Sequence, residues 1–275
     1  MKISEWLRDA QAQLAAAGVA DAEIDARWMA EDTLGMSRAE LKFEGDRMIP
    51  PAQLSALSAM LRRRAAGEPV QYILQSADFM GIRFYVDNRV LIPRQDTETL
   101  AEAALVDAQR RERPAVLDLC AGSGCIGLSL KSLAPQARVT LSDVSRDALD
   151  VARRNAHALG VEVELKHGDL FEAVGRAKYD VIASNPPYIP RGELLSLQRE
   201  VQREPALALD GGADGLDFYR RIAEGVGAHL NPGGSLYLEV GAGEAQAVRA
   251  LLPGTTGVIR DLNGVERVVW MREEG

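Results

Sequence analysis

From residue 114 onward the sequence repeats one rhythm: a short apolar run, a turn, an amphipathic stretch, then the next apolar run. The runs are AVLDLC (115–120), ARVTLS (137–142), VEVELK (161–166), YDVIAS (179–184) and SLYLEV (235–240). Apolar segments this short, alternating with helical segments, predict a parallel, doubly wound α/β sheet, Rossmann-like in its layering. The last stretch, GVIRDLNGVERVVWM, breaks the rhythm. Its Asn263-Gly264 between two apolar runs predicts an antiparallel hairpin at the end of the sheet.

The rest of the chain reads differently. In residues 1–66, Ile3, Leu7, Ala10 and Leu14 recur at helical spacing, Ser4 and Asp21 stand as N-caps, and Gly18, Gly35 and Gly67 fall where helices stop. A small helical bundle is expected there. Its nine basic against ten acidic residues make it no electrostatic arm for nucleic acid, and Trp6 and Trp28 read as core residues. The basic run Arg62–Arg64 reads first as a solvated helix face and second as a contact with an acidic partner. Residues 67–95 alternate β-branched and aromatic positions around Gly81, as a connecting β-hairpin does, and Asp96 is expected to cap the helix that follows. The expected division is thus 1–66, a helical domain for substrate recognition, 67–95, a hairpin linker, and 96–275, the catalytic sheet.

With 275 residues, 47% hydrophobic and 26% charged, the chain has room for two domains and the make-up of a soluble protein. It has no apolar run long enough to span a membrane and no signal-peptide core, so a cytoplasmic protein without membrane contact is expected. The formal charge of −8 argues against a protein held on DNA by phosphate contacts. Cys120 and Cys125, five apart with no second Cys/His group, fit neither a disulfide framework nor a zinc site and read as packed thiols. No metal is expected, and His157, His167 and His229 read as structural or surface residues.

Ligands of such sheets bind beyond the carboxyl ends of the strands. The first turn, Cys120-Ala121-Gly122-Ser123-Gly124 leading to Gly127, has glycines that let a ligand approach backbone at the start of a helix. The second ends in Asp143, 19 residues beyond Gly124, where a carboxylate accepts from a ribose diol, or alternatively caps the next helix. At this point NAD and S-adenosylmethionine are both open. The third turn, Gly168-Asp169-Leu170-Phe171, offers one polar and two apolar residues for an adenine, or an ordinary turn whose Leu and Phe join the core.

The fourth turn, SNPPYIP (184–190), separates the two cofactors. Two prolines lack N–H donors, and Asn185 before them is pushed extended, so the turn presents acceptors with few competing donors. The Asn185 side-chain oxygen and the Pro186 carbonyl can take the two N–H groups of a planar NH2, Pro187 shapes the turn, and Tyr188 can pack on the planar group. An oriented amide nitrogen can then attack an electrophilic methyl such as that of S-adenosylmethionine. Hydride transfer has no use for these acceptors.

"VLDLCAGSGCIGLSL", "LSDVSRDALDVARRNA", "GDLF" and "SNPPYIP" resemble the class I S-adenosylmethionine-dependent methyltransferases of the amino-group type. More closely, "GEPVQYIL", "FMGIRFYVDNRVLIPRQDTETL", "EPALALDGGADGLDFYRRI" and "EVGAGEAQAV" are similar to the bacterial peptide chain release factor N5-glutamine methyltransferases. The resemblance covers nearly the whole chain. It implies N5-methylation of the glutamine in the Gly-Gly-Gln tripeptide of release factors, with S-adenosylhomocysteine as the product. It also implies a cofactor site on Cys120 to Gly124, Asp143 and Asp169 to Phe171, bordered by Asn185, and a substrate amide held on Asn185 to Tyr188. The family often has Gly-Thr where this chain has Cys120-Ala121, and Pro where it has Gln95. The neighbouring alternatives are a glutamine methyltransferase acting on a ribosomal protein, an N6-adenine DNA methyltransferase, which shares the Asn-Pro-Pro-Tyr turn, and a nucleotide-binding module without activity.

Overall fold

The computed structural model describes residues 1–273. The chain forms two compact units. One comprises Met1–Gln75 together with Gln198–Arg203; the other takes in Ser76–Leu197 and resumes at Glu204.

The first unit is helical: α1 (Ile3–Ala16), α2 (Ala22–Leu34), α3 (Arg38–Phe43), α4 (Pro51–Ala65) and α5 (Val70–Leu74). The stripe Ile3, Trp6, Ala10 and Leu14 packs in one core with Met29, Ala30, Leu57 and Leu61. Gly18, Gly35 and Gly67 follow the helices with φ of 82°, 64° and 88°, the left-handed geometry that ends helices. Other local expectations fail. Lys2, not Ser4, occupies the N-cap position of α1, and its N–H is taken by Glu5 at 2.8 Å. Asp21 occupies the N-cap of α2 without a side-chain bond. Trp28 is 38% exposed because α2 turns Ala26, Met29 and Ala30 inward instead. Arg64 does not lie on a solvated face. It is 6% exposed and held between Asp25 at 2.6 Å and Glu200 at 2.8 Å, an arrangement in which the two carboxylates offset the cost of burying the guanidinium.

The stretch after Gly67 is only partly hairpin. Val70 belongs to the helical core, so residues 70–74 form α5, and the hairpin is confined to β1 (Ala77–Phe79) and β2 (Ile82–Phe84). Its two turn residues, Met80 and Gly81, both have positive φ, as the twist of a two-residue hairpin requires.

The second unit then runs α6 (Glu98–Gln109), β3 (Ala115–Leu119), α7 (Cys125–Leu133), β4 (Arg138–Asp143), α8 (Arg146–Leu159), β5 (Glu164–His167), β6 (Tyr179–Ser184), α9 (Asp217–His229), β7 (Leu230–Glu239), α10 (Ala245–Leu251), β8 (Thr255–Arg260) and β9 (Glu266–Arg272). The seven-stranded sheet has the order β5-β4-β3-β6-β7-β9-β8, parallel from β5 to β7, with β9 and β8 antiparallel. Successive strand residues point to opposite faces. Val116, Val181 and Ala183 pack with α6, α7 and α8, whereas Leu117, Leu119 and Ile182 pack with α9 and α10. The loop joining β8 to β9 is longer than an Asn-Gly turn demands: Asp261 accepts from the amides of Asn263 at 2.9 Å and Val265 at 3.0 Å, and only Gly264 has positive φ. Asp96 does not cap α6. It sits in a preceding 3-10 turn and pairs with Arg267 at 2.9 Å, leaving Thr97 at the N-cap position. Among the described residues no helix is long and apolar enough to cross a membrane.

Candidate active site

The chain leaves β3, builds one wing of the sheet through β4 and β5, then returns to lay β6 on the other side of β3. This reversal opens a crevice at the carboxyl ends of β3 and β6. Leu119 and Ser184 are register partners there, and the Ser184 hydroxyl donates to the Leu119 carbonyl at 2.6 Å. The first and fourth turns are thereby held side by side.

After β3 the chain turns sharply, with φ of 62° at Cys120, 55° at Gly122 and 80° at Gly124. Cys120 thus holds a left-handed conformation that L side chains adopt at a cost, which accounts for the glycine that the resembling family often has there. The glycines divide the work. Gly122 donates its N–H to Asp143 Oδ2 at 2.9 Å. Gly127 is where helix meets sheet: a Cβ there would lie 2.2 Å from Leu141 Cδ2 and 2.9 Å from Asp118 Cβ. Asp118, wholly buried, accepts the Gly127 N–H at 2.8 Å and ties α7 to β3; burial pushes its carboxyl up to about 7. Asn155, inside α8, clasps the turn from below. Its Nδ2 donates to the carbonyls of Ser123 at 2.9 Å and Tyr85 at 3.0 Å, and its oxygen accepts the Tyr85 N–H at 2.8 Å.

Asp143 is not the cap of α8. That position is Ser145, whose hydroxyl accepts from Ala148 at 3.2 Å, while Asp143 Oδ1 takes the Ser145 N–H at 2.8 Å. Burial pushes the Asp143 carboxyl above the usual range, with the Ser145 and Gly122 amides pulling it back.

After β6, Asn185 donates Nδ2 to the Thr97 hydroxyl at 3.3 Å. Beyond the prolines, Ile189 is stitched to the later loop: its N–H goes to Leu209 at 3.0 Å, and its carbonyl takes the Gly211 N–H at 2.9 Å. Gly211 is needed for that closeness, since a Cβ there would lie 2.7 Å from the Tyr188 backbone.

One pocket gathers Cys120, Ala121, Gly122, Ser123, Asp143, Asp169, Leu170, Asn185 and Pro187. The other anticipated residues stand off its wall. Gly124 lies beneath the turn against Leu128 and Leu141, Pro186 is buried in the bend, and Tyr188 reaches away to Glu239 at 3.5 Å. Phe171 stacks on His229 with centroids 4.5 Å apart, on the far side of the third turn. Asp169 is also engaged outward, with Arg221 at 2.8 Å. Cys120 and Cys125, expected as packed thiols, both border the pocket; burial pushes the Cys125 thiol up to about 12.

Two stretches of wall were not anticipated from the sequence: Arg89, Val90, Leu91, Pro93 and Arg94, and Pro205, Leu207 and Ala208. Glu204, 5% exposed, joins them by accepting the Ile92 N–H at 2.9 Å and pairing with Arg94. The runs LIPR and REPAL carry them, yet what brings them together is the bonding of Glu204 to Ile92 and Arg94, 112 and 110 positions away, and no local pattern signals that.

Comparison with known proteins identifies the family and the fold. Residues 5–74 match the family described as PrmC N-terminal domain, and residues 96–204 match the methyltransferase small domain. The release factor glutamine methyltransferase of Geobacter sulfurreducens is 42% identical, covering 98% of this chain and 94% of its own. That of Deinococcus radiodurans is 38% identical over 100% of both. Among solved structures, the human Mettl16 catalytic domain in complex with an RNA hairpin aligns with a TM-score of 0.57 at 12% identity, covering 90% of each chain. A methyltransferase from Pyrococcus furiosus aligns at 0.54 and 17%, covering 79% of this chain and 100% of that one. These two likenesses establish the fold.

Proposed function

The chain belongs to the release factor glutamine methyltransferases, and from that premise we propose how its own residues carry the reaction. It is an S-adenosylmethionine-dependent protein-glutamine N-methyltransferase that methylates the glutamine of the Gly-Gly-Gln motif in peptide chain release factors. The observation that carries the residue assignment is the pocket itself, in which Asn185 and Pro187 share one cavity with the glycine turn and Asp143.

The cofactor fits what is there. Left-handed backbone at Cys120 and Gly122 lets a ligand approach the chain, and no atom lies within 4 Å of where a Gly122 Cβ would be. Asp143 supplies a carboxylate for the ribose hydroxyls, and Leu170, Ile126 and Phe218 supply apolar walls for the adenine. When bound, the cofactor supplies a methyl group on a sulfonium. The Asn185 oxygen, on the pocket wall, is assigned one N–H group of the glutamine side chain, and the Pro186 carbonyl, next to it in the bend although its ring is buried, is assigned the other, which fixes the amide nitrogen and favours electron density on it. With the cofactor bound, the held nitrogen would take the methyl as its S–C bond breaks, and the surplus proton on nitrogen would be lost to solvent. Tyr188 serves this turn from beneath rather than by stacking on the substrate, since its hydroxyl is turned to Glu239.

Two acceptors recognise an amide but not a protein, so the choice of protein must come from elsewhere. We assign it to the N-terminal helical region, residues 1–66, linked through 67–95 to the methyltransferase region 96–275. This region contributes no residue to the pocket. Short Gly-Gly-Gln peptides are therefore expected to be far poorer substrates than the intact factor, read as kcat/KM. The site of action is the cytoplasm, where translation terminates, and the partner is protein rather than DNA.

The direct test is mass spectrometry after incubation with S-adenosylmethionine and, in parallel, a release factor, ribosomal proteins and DNA. One methyl on the Gly-Gly-Gln glutamine supports the reading. A methyl only on a ribosomal protein or on adenine overturns it.

A further inference from the structure

The two prolines that bare the acceptors of the β6 turn also deprive it of donors to tie it down. Upstream, the turn is fixed by the sheet through the Ser184 bond to Leu119. Downstream, Pro186 and Pro187 have no N–H to give, so support has to come from residue 188 onward. It comes from residues 209–215. The Ile189 N–H donates to the Leu209 carbonyl at 3.0 Å, the Gly211 N–H to the Ile189 carbonyl at 2.9 Å and the Arg191 N–H to the Gly212 carbonyl at 2.8 Å, so the two stretches run parallel like paired strands. Asp210 braces the second stretch, taking the Gly212 N–H on Oδ1 at 2.9 Å and the Arg191 guanidinium on Oδ2 at 2.9 Å.

This pairing lays the Tyr188 peptide against two glycines. A Cβ on Gly211 would lie 2.7 Å from the Tyr188 Cα and carbonyl carbon and 3.0 Å from the Gly215 Cα. A Cβ on Gly215 would lie 2.4 Å from the Tyr188 carbonyl oxygen on one side and 2.9 Å from Glu244 Oε1 on the other. Glu244 is itself fixed, since its Oε2 accepts the Gly241 N–H at 3.0 Å. The other neighbours are backbone, which cannot swing aside as a free side chain does. The same segment borders the pocket, with Leu207 and Ala208 before it and Phe218 after it on the pocket wall.

We propose that Gly211 and Gly215 are positioning residues for methyl transfer: having no side chains, they let residues 209–215 lie directly on the Tyr188 peptide and so fix where the Asn185 and Pro186 acceptors stand. The proposal rests on the reading of those two groups as acceptors for the substrate amide. Neither glycine touches the reacting atoms. A methyl at either position must push the Tyr188 peptide away by about an ångström to reach ordinary contact, and a misplacement of that size costs up to about 100-fold in rate.

The experiment compares the full-length wild type with Gly211→Ala, Gly215→Ala, Gly160→Ala, Asp210→Ala, Asp210→Asn and Asn185→Ala. Calorimetry gives S-adenosylmethionine affinity and the number of binding sites, and kcat on a release factor is expressed per cofactor-binding site, so that a loss of folded protein does not count as a loss of rate. Gly211→Ala and Gly215→Ala should lose about 10- to 100-fold in kcat while cofactor affinity changes by no more than about threefold. Gly160, at the end of α8, has a φ of 65° and no atom within 4 Å of its Cβ position. Gly160→Ala therefore carries the strain of a left-handed alanine without the contact and should keep wild-type kcat. Asp210→Ala removes the brace without adding bulk and should lose severalfold, most of it recovered in Asp210→Asn, which keeps an acceptor for Gly212. Should both glycine variants fail to fold, the Asp210 pair decides, and wild-type kcat in Asp210→Ala overturns the proposal. Wild-type kcat in folded Gly211→Ala and Gly215→Ala, or an equal loss in Gly160→Ala, overturns it too. Full turnover by Asn185→Ala overturns the underlying reading instead, whereas an inactive Asn185→Ala beside fully active glycine variants overturns the positioning role only.

Discussion

The two turns that meet at the switch point are held by opposite means. The turn after β3 is organised locally: Asp143 accepts the Gly122 and Ser145 amides, Asp118 accepts the Gly127 amide, and positive φ at Cys120, Gly122 and Gly124 shapes the rest. The turn after β6 is held by side chains far away in sequence, with Thr97 88 positions before Asn185 and Glu239 51 positions after Tyr188 in a later strand. A side chain that has to point one atom rather than its twin at a substrate needs an external reference, and the Thr97 hydroxyl provides one.

The largest effect is expected on the β6 side. Asn185→Ala should lower kcat by about 100- to 1,000-fold or more, the scale set by removing one preorganised partner from an oxyanion hole, while cofactor affinity stays near wild type. Parallel kinetics and calorimetry would show it, and a near-normal kcat would erase the distinction between the turns. On the β3 side, Asp143→Ala should weaken S-adenosylmethionine binding by about 1.5–3 kcal/mol, the scale of hydrogen bonds to a charged group, with kcat at saturating cofactor much less affected. Unchanged affinity by calorimetry would leave Asp143 as a scaffold for the Gly122 and Ser145 amides alone.

A smaller effect sharpens the packing side of the comparison. Gly127→Ala gains helix propensity but places a methyl against Leu141 and Asp118. The overpacking should win, for a net loss of about 1–2 kcal/mol in denaturant unfolding. The smallest effect should come from Cys120→Gly. Relief of left-handed strain is offset by a more flexible unfolded chain and a lost half-buried thiol, so stability should change by less than about 1 kcal/mol. A large loss would mean that the thiol contributes more than the strain costs.

These contrasts also separate what could be read in the chain from what could not. The glycine turn, Asp143 and the Asn-Pro-Pro-Tyr turn were legible because each sits directly after an apolar run, and strand-turn-helix order alone carries them to the same edge of the sheet. The cap at Ser145, α5 at Val70–Leu74 and the burial of Arg64 were not, because neighbouring residues satisfy local propensity while distant partners decide the outcome: Glu200 for Arg64, the helical core for Val70. Phe171 looked suited to an adenine, and the stack of its ring on His229 from α9 had no signal in the local sequence. Thr97, Glu239 and Glu204 left no local trace at all, since each bonds a residue 88, 51 or 110 positions from its own.

The central claim is that the β6 turn recognises a planar NH2 by two acceptors. It is tested most directly by a release factor whose Gly-Gly-Gln glutamine is replaced with glutamate, a side chain of the same shape with oxygen in place of NH2. Incubated with enzyme and S-adenosylmethionine and followed by mass spectrometry, it should gain no methyl while the unaltered factor gains one on the glutamine side chain. A methyl ester on the glutamate, formed at a rate comparable to glutamine methylation, would contradict the account.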